Sequence, residues 1–469
     1  MLRWIFRRLG AFVPATVFLL ALAFGLLADA PENSETSSAF GGPAPENPLE
    51  RRRIQKKWRE KHHFHLPVFY FSIQSQAVPA RIREIPDPSE RRAVRNLALS
   101  TGAGEATWHF YNKLLELQQK LYEPSLVNAK NIATFSLQRK QVEVLLTEKN
   151  PHNVGLLLDS IASCSLGQDT LWTDVCEAWN QLRAQATPWR RWIPTVRWHG
   201  DCRLHRWLWG TEHAPGLMRG HLGLSLTNGR PVASILLPRF RFTLWMSLMA
   251  LLLVWLLGVA GGLAALQLPK AGSAGLRLCM YALLAIPPFA LGAILITFLT
   301  NETFLNWFPS YGLGDVPTHA SWVERIHVRL AHLILPLTCW SAGGVAYFFL
   351  QGQQAARSQQ QNLWFTAALA RGLPSWRILA CHVGPVVLTP LLTLSGHYFP
   401  ALLGGSVILE NLFNLPGMGH LVYHSILMGD YPVVMAVLLT GTLTTLVAYL
   451  VTDCLSALFN PLMYLENRG

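Results

Sequence analysis

An all-α polytopic membrane protein is the fold class this sequence predicts, with six transmembrane helices and a large, mostly helical external insertion between spans one and two. Three observations carry that prediction. Hydrophobic residues make up 51% of the chain and charged residues only 14%, against about 25% charged usage in soluble proteins. Six apolar stretches recur along the chain, each long enough for the roughly 20 residues of helix that cross a hydrocarbon core. One long polar stretch separates the first of them from the rest.

The first span runs from Leu9 to Ala28, behind a basic tip that carries Arg3, Arg7 and Arg8. Its length, and the weak cleavage signal around Ala28-Asp29-Ala30, favour a retained anchor over a cleaved signal peptide. The other spans are expected at 242–266, 278–300, 330–350, 386–409 and 431–451. Orientation follows from lysines and arginines in short loops. Lys270 and Arg277 lie between spans two and three, and Arg357, Arg371 and Arg377 between four and five, whereas 410–432 holds no Lys or Arg. Both termini and the loop at 352–385 are therefore expected in the cytoplasm, and residues 31–238 outside. The net charge of +12 is spread over both sides. It reads as surface solvation and attraction to anionic lipid headgroups, not as nucleic-acid binding.

Within the insertion, residues 31–48 read as a loop and Leu49–His63 as a basic helix. A Pro-punctuated connection follows the Leu66–Phe71 stretch as far as Pro88. Helices are expected over Ser89–Leu99, Glu105–Tyr122, Val127–Glu148, Asp159–Ser165 and Trp172–Ala186, with Pro88-Ser89 as a start signal and Pro151 as a stop. Together they make a small helical domain at about 77–196. His62, His63 and His65 read as a solvated basic cluster rather than a metal site. The external cysteines Cys164, Cys176 and Cys202 are odd in number and allow one disulfide at most, while Cys279, Cys339, Cys381 and Cys454 read as packing residues. Trp189, Arg190, Arg191, Trp192, Trp198, Arg203, Arg206, Trp207 and Trp209 mix cations with aromatics. That mixture is expected at headgroup level, with docking of an external partner as the second reading.

Two loops carry the functional signal. Thr366-Ala367-Ala368-Leu369-Ala370-Arg371-Gly372 sits in the basic loop between spans four and five. Ala367, Ala368 and Ala370 favour helix and allow close approach, and Gly372 permits a turn. Leu373 is expected to fill an apolar pocket on a partner, with Arg371 and Arg377 at the rim. This is the build of a docking knob for a soluble motor protein. On the other side, Phe413–Gly419 contains a Pro-Gly turn among apolar residues, and such a loop can fold into the mouth of a pathway. Glu410 closes span five and Asp430 precedes span six. Within the spans, His332, His397 and Asp453 are the polar outliers. His397, just before the kinking Pro400, is the expected pathway-lining residue, with a hydrogen-bonded packing histidine as the other reading. Gly258, Gly261, Gly262, Gly343 and Gly344 are expected to let helices approach closely. No G-x-x-x-x-G-K-[ST], G-x-S-x-G or H-E-x-x-H pattern stands in the chain, so no catalytic residue and no metal ligand is named.

Four segments share residues with one family. They are the opening Met1–Leu9; Gly220-His221-Leu222-Gly223-Leu224-Ser225 with Gly229-Arg230-Pro231-Val232; Thr366–Gly372 followed by Leu373, Ile378, His382 and Pro390; and Gly404-Gly405-Ser406 through Glu410, Phe413, Pro416-Gly417-Met418-Gly419 and Asp430-Tyr431-Pro432. In these the chain resembles the membrane-spanning permease subunits of bacterial ABC importers, in the dipeptide/oligopeptide (and nickel) permease family. The likeness covers residues 1 to about 75 and about 197 to 469. Thr366 stands where the wider importer motif has glutamate, and Gly384-Pro385 replaces a more polar pair.

The resemblance implies half of a translocation pathway for peptides or similar small solutes, in a bacterial inner membrane. Thr366, Ala367, Ala368, Ala370, Arg371, Gly372, Leu373, Arg377 and His382 would couple to the motor. Glu410, Phe413, Pro416, Gly417, Gly419 and Asp430 would form the outer gate or dock a binding protein. The implied partners are a second homologous permease, two cytoplasmic ATPase subunits, an extracytoplasmic solute-binding protein and membrane lipid. The chain itself would bind no cofactor, ATP and Mg being used by the partner subunits. A different class also remains open: a membrane-anchored sensor or assembly protein that uses the insertion to bind a ligand or partner.

Overall fold

The computed structural model describes residues 45–123, 132–163, 170–211, 214–314, 319 and 321–459, with scattered positions between 10 and 40. The basic start Met1–Leu9, residues 124–131 and Cys164 lie outside them, as does most of the expected first span. Two compact units divide the chain: Phe24–Thr227, and Asn228–Gly469 together with Met1–Ala23.

In the first unit, α1 (Pro48–Lys61) and α2 (Pro88–Thr101) each begin with Pro in the first turn behind a side-chain cap. Asn47 Oδ1 accepts from the Leu49 N–H at 3.0 Å, and Asp87 Oδ1 from the Ser89 N–H at 2.8 Å. α3 (Gly104–Leu121), α4 (Ile132–Thr147), α5 (Pro151–Ser163) and α6 (Thr170–Ala184) follow. Pro151, expected as a stop, opens α5: its missing N–H costs nothing in a first turn, and α4 has already ended at Thr147. Phe110, Leu114, Leu117 and Leu121 of α3 fall on one helical face and meet Trp172, Val175, Trp179 and Leu182 of α6 in a single core.

A buried ion pair ties three of these helices together. Arg52 of α1 donates to Glu90 Oε1 at 2.5 Å, and the Tyr111 hydroxyl of α3 donates to Glu90 Oε2 at 2.8 Å. Burial pushes the Glu90 carboxyl above its ordinary range, against the pull of Arg52.

The unit is not wholly helical. β1 (Phe71–Ser75) pairs antiparallel with β2 (Pro194–Trp198), Phe71 opposite Trp198 and Ile73 opposite Val196. This ribbon clasps the two ends of the helical insertion. The sequence gives little warning of it, because each strand is five residues long and its partner lies beyond five α-helices among the described residues. A short helix, α7 (Arg203–Trp209), follows. Arg206 bonds Asp201 and reaches within 2.8 Å of His63 Nδ1. A guanidinium can only donate, so that ring nitrogen accepts. Burial first, and Arg206 second, hold the His63 ring below its ordinary pKa. Cys176 and Cys202 are both free thiols.

The second unit contains α8 (Val232–Gln267), α9 (Lys270–Ala285), α10 (Pro288–Leu299), α11 (Trp322–Gln360), α12 (Leu363–Ala370), α13 (Gly384–Leu412), α14 (Met418–Leu427) and α15 (Tyr431–Phe459). Among the described residues, four stretches are long and apolar enough to cross a membrane: Val232–Gln267, Trp322–Gln360, Ser375–Gly404 and Tyr431–Ser456. The expected span at 278–300 is instead broken, α9 and α10 meeting at 97°. Pro287 and Pro288 supply no N–H to the helical ladder, so the chain turns there and starts a new helix. Close packing depends on some of the expected glycines. A Cβ on Gly258 would meet the Val345 carbonyl oxygen at 2.8 Å, and one on Gly262 the Phe349 carbonyl oxygen at 2.6 Å. Gly344 sits against the Tyr398 ring, whereas Gly261 has ordinary clearance and Gly343 open space.

Candidate functional site

At one end of the second unit, the loop after α13 turns back into the bundle. Glu410, in the last turn of α13, is fully buried. Its Oε1 accepts from Thr243 Oγ1 of α8 at 2.7 Å, and its Oε2 from the His420 N–H of α14 at 2.9 Å. Thr243 Oγ1 in turn accepts from the Met418 N–H at 2.8 Å. The carboxylate thus satisfies donors at the start of α14, where free N–H groups and the helix dipole favour negative charge.

The two glycines of the Pro-Gly-Met-Gly turn are explained by this contact. A Cβ on Gly417 would overlap the Glu410 carboxylate, and one on Gly419 the Val407 backbone. Phe413 is buried in a core with Met246, Cys339 and Trp340, and its carbonyl accepts from the Gly312 N–H at 2.9 Å. Asp430 is buried as well, while Pro416 is half-buried. Glu410, Gly417 and Gly419 therefore come together, while Phe413 and Asp430 are buried within the chain. Thr243 was missed by sequence reasoning. Its only signal was a hydroxyl in an apolar run, 167 residues from Glu410.

At the other end, α12 and the turn Ser375–Ile378 form a compact bracket between α11 and α13. Gly372 adopts φ +77° with open space where a Cβ would stand, so its role is the left-handed turn itself. Its N–H donates to the Leu369 carbonyl at 2.9 Å, and the Arg371 N–H to Ala367 at 3.2 Å, which closes the end of α12. Phe365 and Ile378 are buried in a core with Val259, Phe348 and Val387, and Ala368 and Leu373 pack on the same core. Burying Phe365 and Ile378 contributes about 1.5–3 kcal/mol each.

Leu373 and Ala368 consequently pack, half-buried, on the bundle core. Leu373 packs inward because Gly372 reverses the chain just before it. Thr366, Ala367, Ala370, Arg371, Arg377 and His382 are exposed as a set. Leu369 of the same motif joins them, with two apolar side chains not named from the sequence, Leu363, 89% exposed, and Trp376. The overlooked signal was apolar residues in a loop that had no core of its own to fill.

Inside the bundle, His397 is exposed on α13, with its Nδ1 3.2 Å from the Tyr449 hydroxyl of α15. His332 Nδ1 lies 2.8 Å from the Val328 carbonyl. A carbonyl only accepts, so that nitrogen carries the proton and serves helix packing. Trp255 Nε1 donates to Ser395 at 3.1 Å, and Trp340 Nε1 to the Leu402 carbonyl at 3.2 Å, fixing α8 and α11 to α13. Among the described residues, no group of three or more His, Cys, Asp or Glu side chains is placed to hold a metal ion.

Comparison with known proteins meets this geometry where it is most constrained. Residues 257–464 match the family described as "Binding-protein-dependent transport system inner membrane component". The chain is 30% identical to the oligopeptide transport system permease protein AppB of Bacillus subtilis (strain 168) over 247 residues, 52% of this chain and 76% of AppB. It is 29% identical to the glutathione transport system permease protein GsiC of Escherichia coli (strain K12) over 262 residues, 56% of this chain and 80% of GsiC. The apolar helices, the bracket that holds α12 and the turn sealed by Glu410 all lie in or beside the matched region. The chain belongs to the family of binding-protein-dependent transport system inner membrane components, as a membrane-spanning permease subunit of an ABC importer.

Proposed function

We propose that this chain forms half of the translocation pathway of an ABC-type importer for peptides or similar small solutes, paired with a second homologous permease. The observation that carries the coupling half of this reading is the bracket around α12. Phe365, Ala368, Leu373 and Ile378 fasten it to the bundle core, while Leu363, Leu369 and Trp376 stand exposed. A short helix held rigidly from behind, with an apolar front, transmits a push from a soluble partner into α11 and α13. Each of two cytoplasmic ATPase subunits, using ATP and Mg, would seat one such bracket.

On this reading the termini lie in the cytoplasm, and residues 31–238 lie outside with the solute-binding protein. The peptide class is supported by the oligopeptide and glutathione permeases among the relatives. On the same reading His397, exposed beside Tyr449, would line the pathway.

Co-purification tests the reading. A tagged chain expressed with its partner subunits is expected to bring down the ATPases. Leu363→Asp combined with Leu369→Asp is expected to reduce that recovery by at least about tenfold, since buried apolar anchors dominate interface energies, while the second permease still co-purifies. ATPase that fails to accompany the wild-type chain, or that accompanies the double variant undiminished, overturns the proposal.

A further inference from the structure

The ribbon in the Phe24–Thr227 unit is patterned the wrong way round for a water-facing surface. Phe71 and Ile73 of β1 and Val196 and Trp198 of β2 share one face by the strand period of two, and all four are exposed. Ser72, Gln74, Thr195 and Arg197 are on the other face and half-buried. There Ser72 Oγ lies 2.9 Å from His199 Nε2, and Thr195 Oγ1 donates to the Gln74 carbonyl at 3.0 Å. Trp198 is 79% exposed and Trp192, in the turn that leads into β2, 77%. An exposed apolar face of this kind marks a surface that meets something other than water.

Charge and tethering identify what it meets. No Asp or Glu occurs in Phe71–Ser75 or Pro188–Trp198, while Arg190 and Arg191 lie between Trp189 and Trp192. The Arg190 guanidinium carbon is 5.9 Å from the Trp189 ring centroid, and that of Arg191 is 5.0 Å from the Trp192 ring centroid. Trp with Arg is the pairing that settles at the headgroup level of a bilayer, ring toward the acyl boundary and cation at the phosphates. The unit is also followed directly in sequence by the apolar helix Val232–Gln267. A bilayer is therefore always within reach of it, whereas a soluble partner must be captured from solution.

We infer that the outward face of the β1–β2 ribbon is a lipid-binding surface. It seats Phe71, Ile73, Val196 and Trp198 in the phospholipid interface, with Arg190 and Arg191 on anionic headgroups. This requires only that the chain spans a membrane, and it stands or falls separately from the transport reading.

Site-specific photo-crosslinking tests it in the full chain. A diazirine amino acid is placed at Trp198, at Ile73 and, as a control, at the exposed Glu177 of α6. Membranes are irradiated, and the adduct is read by mass spectrometry of the purified chain. Phospholipid adducts are expected at 198 and 73 and not at 177. A protein adduct at 198 and 73, from another chain or from elsewhere in this one, or a water adduct alone, overturns the inference. Arg190→Glu with Arg191→Glu is expected to lower the lipid yield at 198 several-fold, and an unchanged yield removes the headgroup contact.

Discussion

Glu410 brings a carboxylate to a place that water does not reach, and three donors keep it there: the Thr243 hydroxyl, the His420 N–H and, through Thr243, the Met418 N–H. Thr243→Val would remove the Thr243 donor from Glu410 Oε1 and the acceptor of the Met418 N–H, at about 1–3 kcal/mol for a buried group left unsatisfied. Amide exchange at 417–420 is expected to speed up by about ten- to a hundredfold, on the scale of about 1.4 kcal/mol per factor of ten. Unchanged exchange there would mean that the turn is held by something else. Gly417→Val is expected to produce the same loosening, because its side chain would occupy the space of the carboxylate.

A second residue-scale expectation concerns Arg52 and Glu90. Arg52→Ala removes the main force that lowers the Glu90 pKa and leaves burial, which raises it. A carboxyl whose folded pKa lies above its unfolded value stabilises the fold below the unfolded pKa. That stability is lost as pH rises through the folded pKa. The variant's helical insertion is therefore expected to lose about 3–5 kcal/mol near neutral pH and to regain protection from proteolysis on acidification. Protection that falls with acid would give the opposite sign.

Among the elements, α12 and the β1–β2 ribbon differ in how legible they were. The seven residues Thr366–Gly372 announce a helix and its stop, and Gly372 at φ +77° does what was expected of it. Which face of α12 turns inward was not legible. That depends on Phe365 and Ile378 finding the ends of α11 and α13, a long-range event with no local code. Gly372→Val is expected to destabilise the bracket by about 1–2 kcal/mol, the scale of forcing a side chain into the left-handed region. Gly372→Asn is expected to cost less. ATPase affinity of the complex reads this, and equal effects of Val and Asn would argue against a conformational role.

The broken pair α9–α10 was also only half legible. Pro287-Pro288 was visible in the sequence, yet hydropathy alone reads straight across it. The ribbon escaped notice because its strands are short and pair across five α-helices among the described residues.

For the whole molecule, apolar run length and loop charge gave the membrane class, and the residues from Glu410 to Asp430 gave the family. The Phe24–Thr227 unit obeys ordinary helical periodicity in its core, so its helices could be read while the clasp between their ends could not. Close helix packing in the second unit rests on Gly258, Gly262 and Gly344. Gly262→Leu is expected to prop α8 from α11 and abolish transport while leaving membrane insertion intact.

On the proposed function, a push on α12 from a separate ATPase drives solute through this permease. This is tested most directly in proteoliposomes that hold this chain, the second permease, the ATPase subunits and the binding protein. ATP-dependent accumulation of a small peptide is expected, reduced to background by Leu363→Asp with Leu369→Asp although the two permeases remain paired. Accumulation that proceeds without ATP, or at an undiminished rate in the double variant, would contradict it.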